Sequence, residues 1–162
     1  MEPPIAEALG PPPFRFEPSA SPLRSRAYSL PFRVVATVFV FGAAAWGLVL
    51  WQSGKLGPGP MATWFLAALA LMAYTWWCIV RSVTTLDAKQ LRQTWVWEKR
   101  MELRELAFAR VVRVRGLEWL IAPRIYARTL LGKFAVFYAA DPAMVAEFDR
   151  LARELAAFRG PR

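Results

Sequence analysis

Arginine is the residue type in this chain with the most evident chemistry. The 162 residues include 21 Lys and Arg against 12 Asp and Glu, one Cys and no His. Arg110, Arg113 and Arg115, with Arg124 and Arg128 on neighbouring segments, form a cluster whose planar guanidinium forks suit phosphate groups. Two readings of the cluster stand side by side. One is a solvated strand face; the other is a surface for anionic lipid headgroups, worth ~1 kcal/mol per residue near a charged leaflet. Catalytic chemistry finds less support. Without His, the commonest general base, the Ser-His-Asp triad and His metal sites are all missing. A single cysteine, Cys78, builds neither a thiolate zinc site nor an iron–sulfur cluster. No GxGxxG or GxxxxGK[ST] phosphate cradle occurs. Carboxylates such as Glu98, Glu102 and Glu105 are interleaved with Arg or Lys, which fits solvated ion pairs better than an acid–base pair. The expectation is a chain that is not an enzyme and uses no metal or cofactor.

The elements that position these arginines begin with two apolar stretches, residues 32–51 and 61–80. Apart from Arg33 at the edge of the first, neither contains Asp, Glu, Lys or Arg. Each has the ~20 residues that an α-helix needs to cross a hydrocarbon core of roughly 30 Å. A buried helix of a soluble protein usually keeps a polar face, and these stretches are apolar all round. Phe32, Trp51 and Trp64, with the Tyr74–Trp76–Trp77 cluster, lie where interfacial aromatic rings are favoured. The connector QSGKLGPGP carries Gly54, Gly57, Gly59, Pro58 and Pro60, so it ends both helices and reverses the chain. Gly42, Gly47 and the adjacent alanines allow close helix approach, or are ordinary small residues of a membrane helix. Cys78 falls inside the second stretch, where lipid or helix packing is its expected role. With no charged group inside either span, a proton or ion path through this chain is not expected.

Flanking charge orients the hairpin. Arg15, Arg24, Arg26 and Arg33 precede the first stretch, and Arg81, Lys89 and Arg92 follow the second, against Lys55 alone in the connector. Positive flanks stay cytoplasmic, so both termini are expected inside. Residues 1–31 hold eight of the 13 prolines and no apolar run of a signal peptide. They read as a disordered or polyproline-like tail, passive or offering a PxxP docking peptide, with residues 25–30 lying along the interface.

Residues 81–162 carry 16 of the basic and nine of the acidic residues, enough chain for one modest core. That excess suits an anionic leaflet nearby, and a bilayer tether makes lipid a nearer partner than nucleic acid. Strands are expected at 82–86, 90–97, 101–103, 111–115, 125–130 and 134–138, with turns at 87–89, 98–100 and 131–133. In residues 90–97, Leu91, Trp95 and Trp97 share parity; in 111–115, Val112 and Val114 alternate with Arg113 and Arg115. Asp141–Pro142 starts a helix in which Met144, Phe148, Leu151, Leu155 and Phe158 make one apolar stripe, ended by Gly160–Pro161. The run Leu117, Trp119, Leu120 and Ile121 is either a buried strand or an exposed loop that dips into lipid or meets a partner.

Two membrane helices, then Thr84–Thr85–Leu86–Asp87, the stretch Glu105 to Val114, the hairpin Tyr126 to Phe134 and the capped helix, together resemble bacterial membrane-anchored proteins with a pleckstrin-homology-like (PH-like) domain. The resemblance spans roughly residues 34–158. It implies a membrane α+β protein: a transmembrane hairpin, then a small PH-like antiparallel β-sandwich or barrel of about seven strands with one C-terminal amphipathic helix. It further implies a bacterial inner-membrane scaffold for lipid, a membrane-protein partner or self-association, without enzymatic activity. The alternative is an accessory or assembly subunit of a larger inner-membrane complex, using Trp64, Trp76, Trp77 and the small-residue faces as contact surface.

Overall fold

The computed structural model describes residues 13–160. In chain order the elements are β1 (Leu23–Arg26), α1 (Leu30–Gln52), α2 (Pro60–Arg81), β2 (Val83–Leu86), β3 (Gln90–Gln93), β4 (Lys99–Glu102), a 3₁₀ turn (Leu103–Glu105), β5 (Leu106–Val112), β6 (Arg124–Thr129), β7 (Phe134–Tyr138) and α3 (Pro142–Arg159). Two antiparallel sheets result, β1-β2-β3-β4 and β5-β6-β7. Two apolar helices, two antiparallel sheets and a terminal helix make an α+β layout.

The first strand changes how the chain is organised. β1 precedes the helical hairpin yet pairs with β2 after it, in the register Leu23↔Leu86 to Arg26↔Val83. The hairpin is therefore an insertion between two neighbouring strands of one sheet. Both of its ends are tied there: the Ala27 amide donates to Ser82 O at 3.1 Å, and Arg26 Nη1 donates to Val80 O at 3.0 Å. The guanidinium satisfies a carbonyl that the end of α2 leaves open.

This overturns the expected tail for residues 13–31. Phe14 and Phe16 are buried in the core, Ser25 and Ala27 are buried beside it, and residues 25–30 do not form a free interfacial stretch. The alternation Phe14–Arg15–Phe16 puts both rings on the inner side of an extended strap. The Phe14 ring meets Phe158 at 5.5 Å, and the Arg150 guanidinium lies 4.8 Å from the Phe16 ring and donates to Glu17 O. Burying each ring contributes about 1.5–3 kcal/mol against the cost of ordering the strap, and the Arg150 contacts add to it. The expectation for residues 1–12 lies outside the described residues.

The core sits between the sheets and under α3. Leu86, Leu91, Leu106, Ile125 and Phe137 face Met144, Phe148, Leu151 and Leu155 of the helix. The Asp141 side chain accepts from the Ala143 amide at 3.0 Å, the cap expected there, with Pro142 opening the helix. Buried polar groups clamp the sheets together at one end. Thr84 Oγ1 donates to Tyr138 O, and the Tyr138 amide donates to Gln93 Oε1 at 3.1 Å. These partners offset the cost of desolvating Thr84 and Gln93.

Elsewhere the strand boundaries shift. β3 stops at Gln93: the Thr94 amide still donates to Val83 O, but the Val83 amide donates to Thr94 Oγ1 and Thr94 O accepts from Ser82 Oγ, so side chains replace the return ladder bond. Residues 94–98 are therefore the turn, and Lys99 and Arg100 open β4 instead of closing a hairpin. β5 lies at 106–112, ahead of the expected 111–115, with a bulge between Leu106 and Phe108. Residues 116–123 form turns and no strand, so the buried-strand reading of Leu117–Ile121 is wrong.

In the hairpin, Trp76 Nε1 donates to Thr37 Oγ1 across the helices at 2.8 Å, and the Phe41 ring meets Trp76 edge-on at 5.6 Å. Gly47 lets α2 approach: a Cβ there would fall 2.3 Å from Phe65 Cε1. Gly42 has open space and makes no such contact. The two helices are long and apolar enough to cross a membrane, and only 11% and 6% of their most apolar windows is buried. They are not core helices of the described chain.

Candidate functional site

The end of the β domain from which α1 and α2 emerge gathers the candidate side chains. Ser29 caps α1, its Oγ accepting from the Phe32 amide at 3.3 Å and donating to Leu120 O at 2.6 Å. That bond brings loop 116–123 against the start of α1. On the other side, the hydrogen bonds of Ser82 and Val83 with Thr94 hold turn 94–98 beside the end of α2. Both connections project apolar side chains. Trp97 is 68% and Trp119 62% exposed, and Val96 and Leu117 are also exposed. Leu120 and Ile121 are half-buried behind Trp119.

Between the two connections an aromatic stack joins domain to hairpin. The Tyr28 ring lies 5.3 Å from Phe32, 5.4 Å from Tyr138 and 5.6 Å from Trp95. Burial, then the neighbouring Tyr138 and Cys78, push the Tyr28 phenol up to about 12, so it stays neutral at physiological pH. None of these contacts was anticipated. Tyr28 and Phe32 are aromatic residues four apart with an arginine next in line, a signal present in the sequence, but Tyr138 and Trp95 reach them only through sheet pairing.

The five arginines separate into three groups. Arg110, Arg124 and Arg128 share the outer face of β5-β6-β7, through the register Arg110↔Tyr126, Val112↔Arg124 and Phe108↔Arg128. Arg124 to Arg128 is ~13 Å along the strand at about 3.3 Å per residue, so only Arg124 stands at the helix-bearing end. Arg113 turns the other way, toward α3, and pairs with Asp149. Arg115 lies past the end of β5 at the exposed head of loop 116–123, because the strand stops at Val112. They are therefore not one surface.

Other cations complete the helix-bearing end. The Arg124 guanidinium lies 5.6 Å from the Tyr126 ring, and Arg81 lies 4.0 Å from the Trp77 ring. Arg33 and Arg124 each bury Nε with no hydrogen-bond partner among the described residues. Of the carboxylates in this region, Glu118 in loop 116–123 is exposed and forms no ion pair among the described residues, whereas Glu98 is engaged. Glu98 binds Arg92 and Arg100, whose hydrogen bonds, Arg100 first, hold its carboxyl below the usual range. Among the described residues no three His, Cys, Asp or Glu side chains converge as metal ligands. The arrangement can bind anions and apolar surface.

Family models, curated proteins and solved structures yield no match to this chain.

Proposed function

We propose that this chain is a membrane-anchored, non-enzymatic interaction module. In this reading α1 and α2 cross a bacterial inner membrane as a hairpin. A PH-like domain sits on the cytoplasmic leaflet, and both termini are cytoplasmic. The observation that carries it is the insertion, between the paired strands β1 and β2, of an exposed apolar helical hairpin whose only charges are Arg33 and Arg81 at its base and Lys55 at its tip. A cleaved leader reading is disfavoured by the same pairing, since β1 would leave with α1. The four-plus-three strand order closed by α3 supports the PH-like reading.

The domain's helix-bearing end supports the seating. Trp97 and Trp119 suit the interfacial zone, where amphipathic rings are favoured. Arg33, Arg115 and Arg124 suit headgroup phosphates, and the buried Nε of Arg33 and Arg124 has an acceptor there. Flanking charge supports the orientation, with Arg24, Arg26, Arg33 and Arg81 on the domain side and Lys55 alone at the hairpin tip.

Single cysteines in a Cys78→Ala background test this in whole cells and inverted vesicles. A thiol at Ser53 is expected to label only from the outside and one at Leu131 only from the inside. Spin labels at positions 97 and 119 in nanodiscs are expected to show oxygen accessibility near the phosphate plane. Labelling of position 53 from inside, or labels at 97 and 119 as water-exposed as one at 131, defeats the reading.

A further inference from the structure

Four sheet edges exist in the β domain, and each is contacted by groups from outside its sheet at one end or one residue. β7 is held by Thr84 and Gln93 at Tyr138. β1 is covered where the Ala140 amide donates to Arg26 O at 2.8 Å. β4 carries Lys99 and Arg100, and Lys133 Nζ donates to Arg100 O at 2.9 Å. Charged side chains and covering groups are the usual ways of blunting a strand edge.

β5 differs in having hollows beside it. Like every end strand it pairs with one neighbour, β6, so alternate backbone N–H and C=O groups of the strand face away from the sheet. Arg159 donates to Leu106 O at 2.8 Å and closes one end, leaving the strand from Phe108 to Val112. α3 packs alongside β5, and its near side at Ala146, Ala152 and Ala156 is made of small residues. Two adjoining hollows of about 520 and 420 Å³ lie between strand and helix, meeting at Ala109 and Ala156. Each is within the size of an ordinary ligand pocket.

Charge selects the occupant. Arg110 and Arg153 line the larger hollow, are exposed, and form no ion pair among the described residues. The one acidic group lining it, Asp149, is already neutralised by Arg113. We propose that the groove between β5 and α3 binds an extended acidic peptide segment of a partner protein as an added strand on β5. Main-chain hydrogen bonds to the open edge supply affinity, Arg110 on the outer face selects carboxylate side chains at alternate positions, and Arg153 on α3 adds to the positive field of the groove. This deepens the interaction-module reading, on which it rests, by naming the partner's chemistry. Membrane topology is not needed for the contact itself.

The test uses the full chain in nonionic detergent and a fluorescein-labelled, acetylated Glu-Val-Glu-Val-Glu-Val-Glu peptide, matched to the 7 residues of β5. Fluorescence polarisation is expected to show saturable binding roughly tenfold or more tighter than that of the Lys-Val analogue. N-methylation at alternate residues along one edge of the peptide should abolish binding, while methylation along the other edge leaves it intact. An Arg110→Glu/Arg153→Glu variant should bind roughly tenfold more weakly with an unchanged Tm.

Equal binding of both methylated peptides, equal binding of the Lys and Glu peptides, or indifference to the charge reversal overturns the proposal. Two other occupants would also overturn it. Tighter peptide binding by a chain lacking residues 1–12 would make the occupant this chain's own N-terminus. A dimer dissociated by the peptide in light scattering would make it a second copy. These outcomes are separable from failure of the module reading, which the labelling experiment reads independently.

Discussion

Large apolar side chains mostly point outward in the α1–α2 hairpin and mostly inward in the β domain, where Trp97, Trp119, Leu131 and Phe134 are among the exposed exceptions. Trp64 is 76% exposed, and Trp46, Val38 and Leu71 are exposed around it along the helices, whereas Leu86, Ile125, Phe137 and Phe148 are fully buried. One chain thus follows two opposite packing rules. The β domain buries its apolar groups because water surrounds it. An outward apolar surface of the hairpin's size is stable only with apolar surroundings of its own, which is what the proposed bilayer supplies. The junction of the regimes is where Trp97, Trp119 and the half-buried Arg33 and Arg124 sit.

The sharpest way to break the comparison is to damage one regime and watch the other. Phe148→Ala empties the centre of the β domain and is expected to cost about 3–5 kcal/mol of its stability. Near-ultraviolet circular dichroism of the domain should be lost at lower denaturant, while the helical signal of the hairpin in detergent persists. Simultaneous loss of both signals would mean that the two regions fold as one unit.

The converse change is slightly smaller. Leu71→Lys places a charge on the outward face of α2 and should penalise bilayer insertion by about 2.5–3.5 kcal/mol. It is measured as the fraction resistant to carbonate extraction. On a water-exposed helix the same swap would be within ~0.5 kcal/mol of neutral and would raise solubility. An unchanged membrane fraction with better soluble yield would remove the contrast.

Legibility from sequence follows the same division. The hairpin was readable because a 20-residue window without internal charge is a local property, and α3 because its four-three spacing is local too. What was not readable depends on distant partners. β1 is four residues long and acquires its identity from β2, some sixty residues later in the chain. Phe14 and Phe16 looked like part of a proline-rich tail because Phe158 and Arg150, which meet their rings, lie near the other end. The arginine cluster failed as a surface for a related reason. Alternation says which residues share a face but not where a strand ends, and β5 ends at Val112, before Arg113 and Arg115. Leu117–Ile121 looked buried by composition, yet its apolar side chains lie on the side that carries the hairpin.

At the junction itself, Tyr28 gives a pH test. Its phenol is raised from an ordinary 10 to about 12, mainly by burial. A group whose folded-state pKa is raised contributes stability below its unfolded value and loses it as pH rises through the folded one. The contact of α1 with the domain is therefore expected to hold up to about pH 10 and weaken between about 10 and 12. Ultraviolet difference titration of the native chain against Tyr28→Phe should isolate a late-ionising tyrosine. If the tyrosine lost in Tyr28→Phe ionises near pH 10, the stack is open to water and the junction is looser than described.

The smallest effect separates stability from binding. Arg113 and Asp149 are both partly exposed, so Asp149→Asn is expected to change domain stability by only about 0.2–1 kcal/mol, and less in high salt. The same change removes the only carboxylate lining the larger hollow beside β5 and releases Arg113 as a free cation. Affinity for the Glu-Val peptide should therefore rise a few-fold while the Tm barely moves, as ~1 kcal/mol of local charge allows. A fall in affinity would assign Asp149 a different part: holding Arg113, and with it the wall of the groove, in place. Either result reads the β domain's surface by water's rules, where an ion pair stabilises little and a freed charge is available for recognition. No equivalent test exists on the hairpin, whose spans carry no charge beyond Arg33 at the edge of α1 and Arg81 at the end of α2.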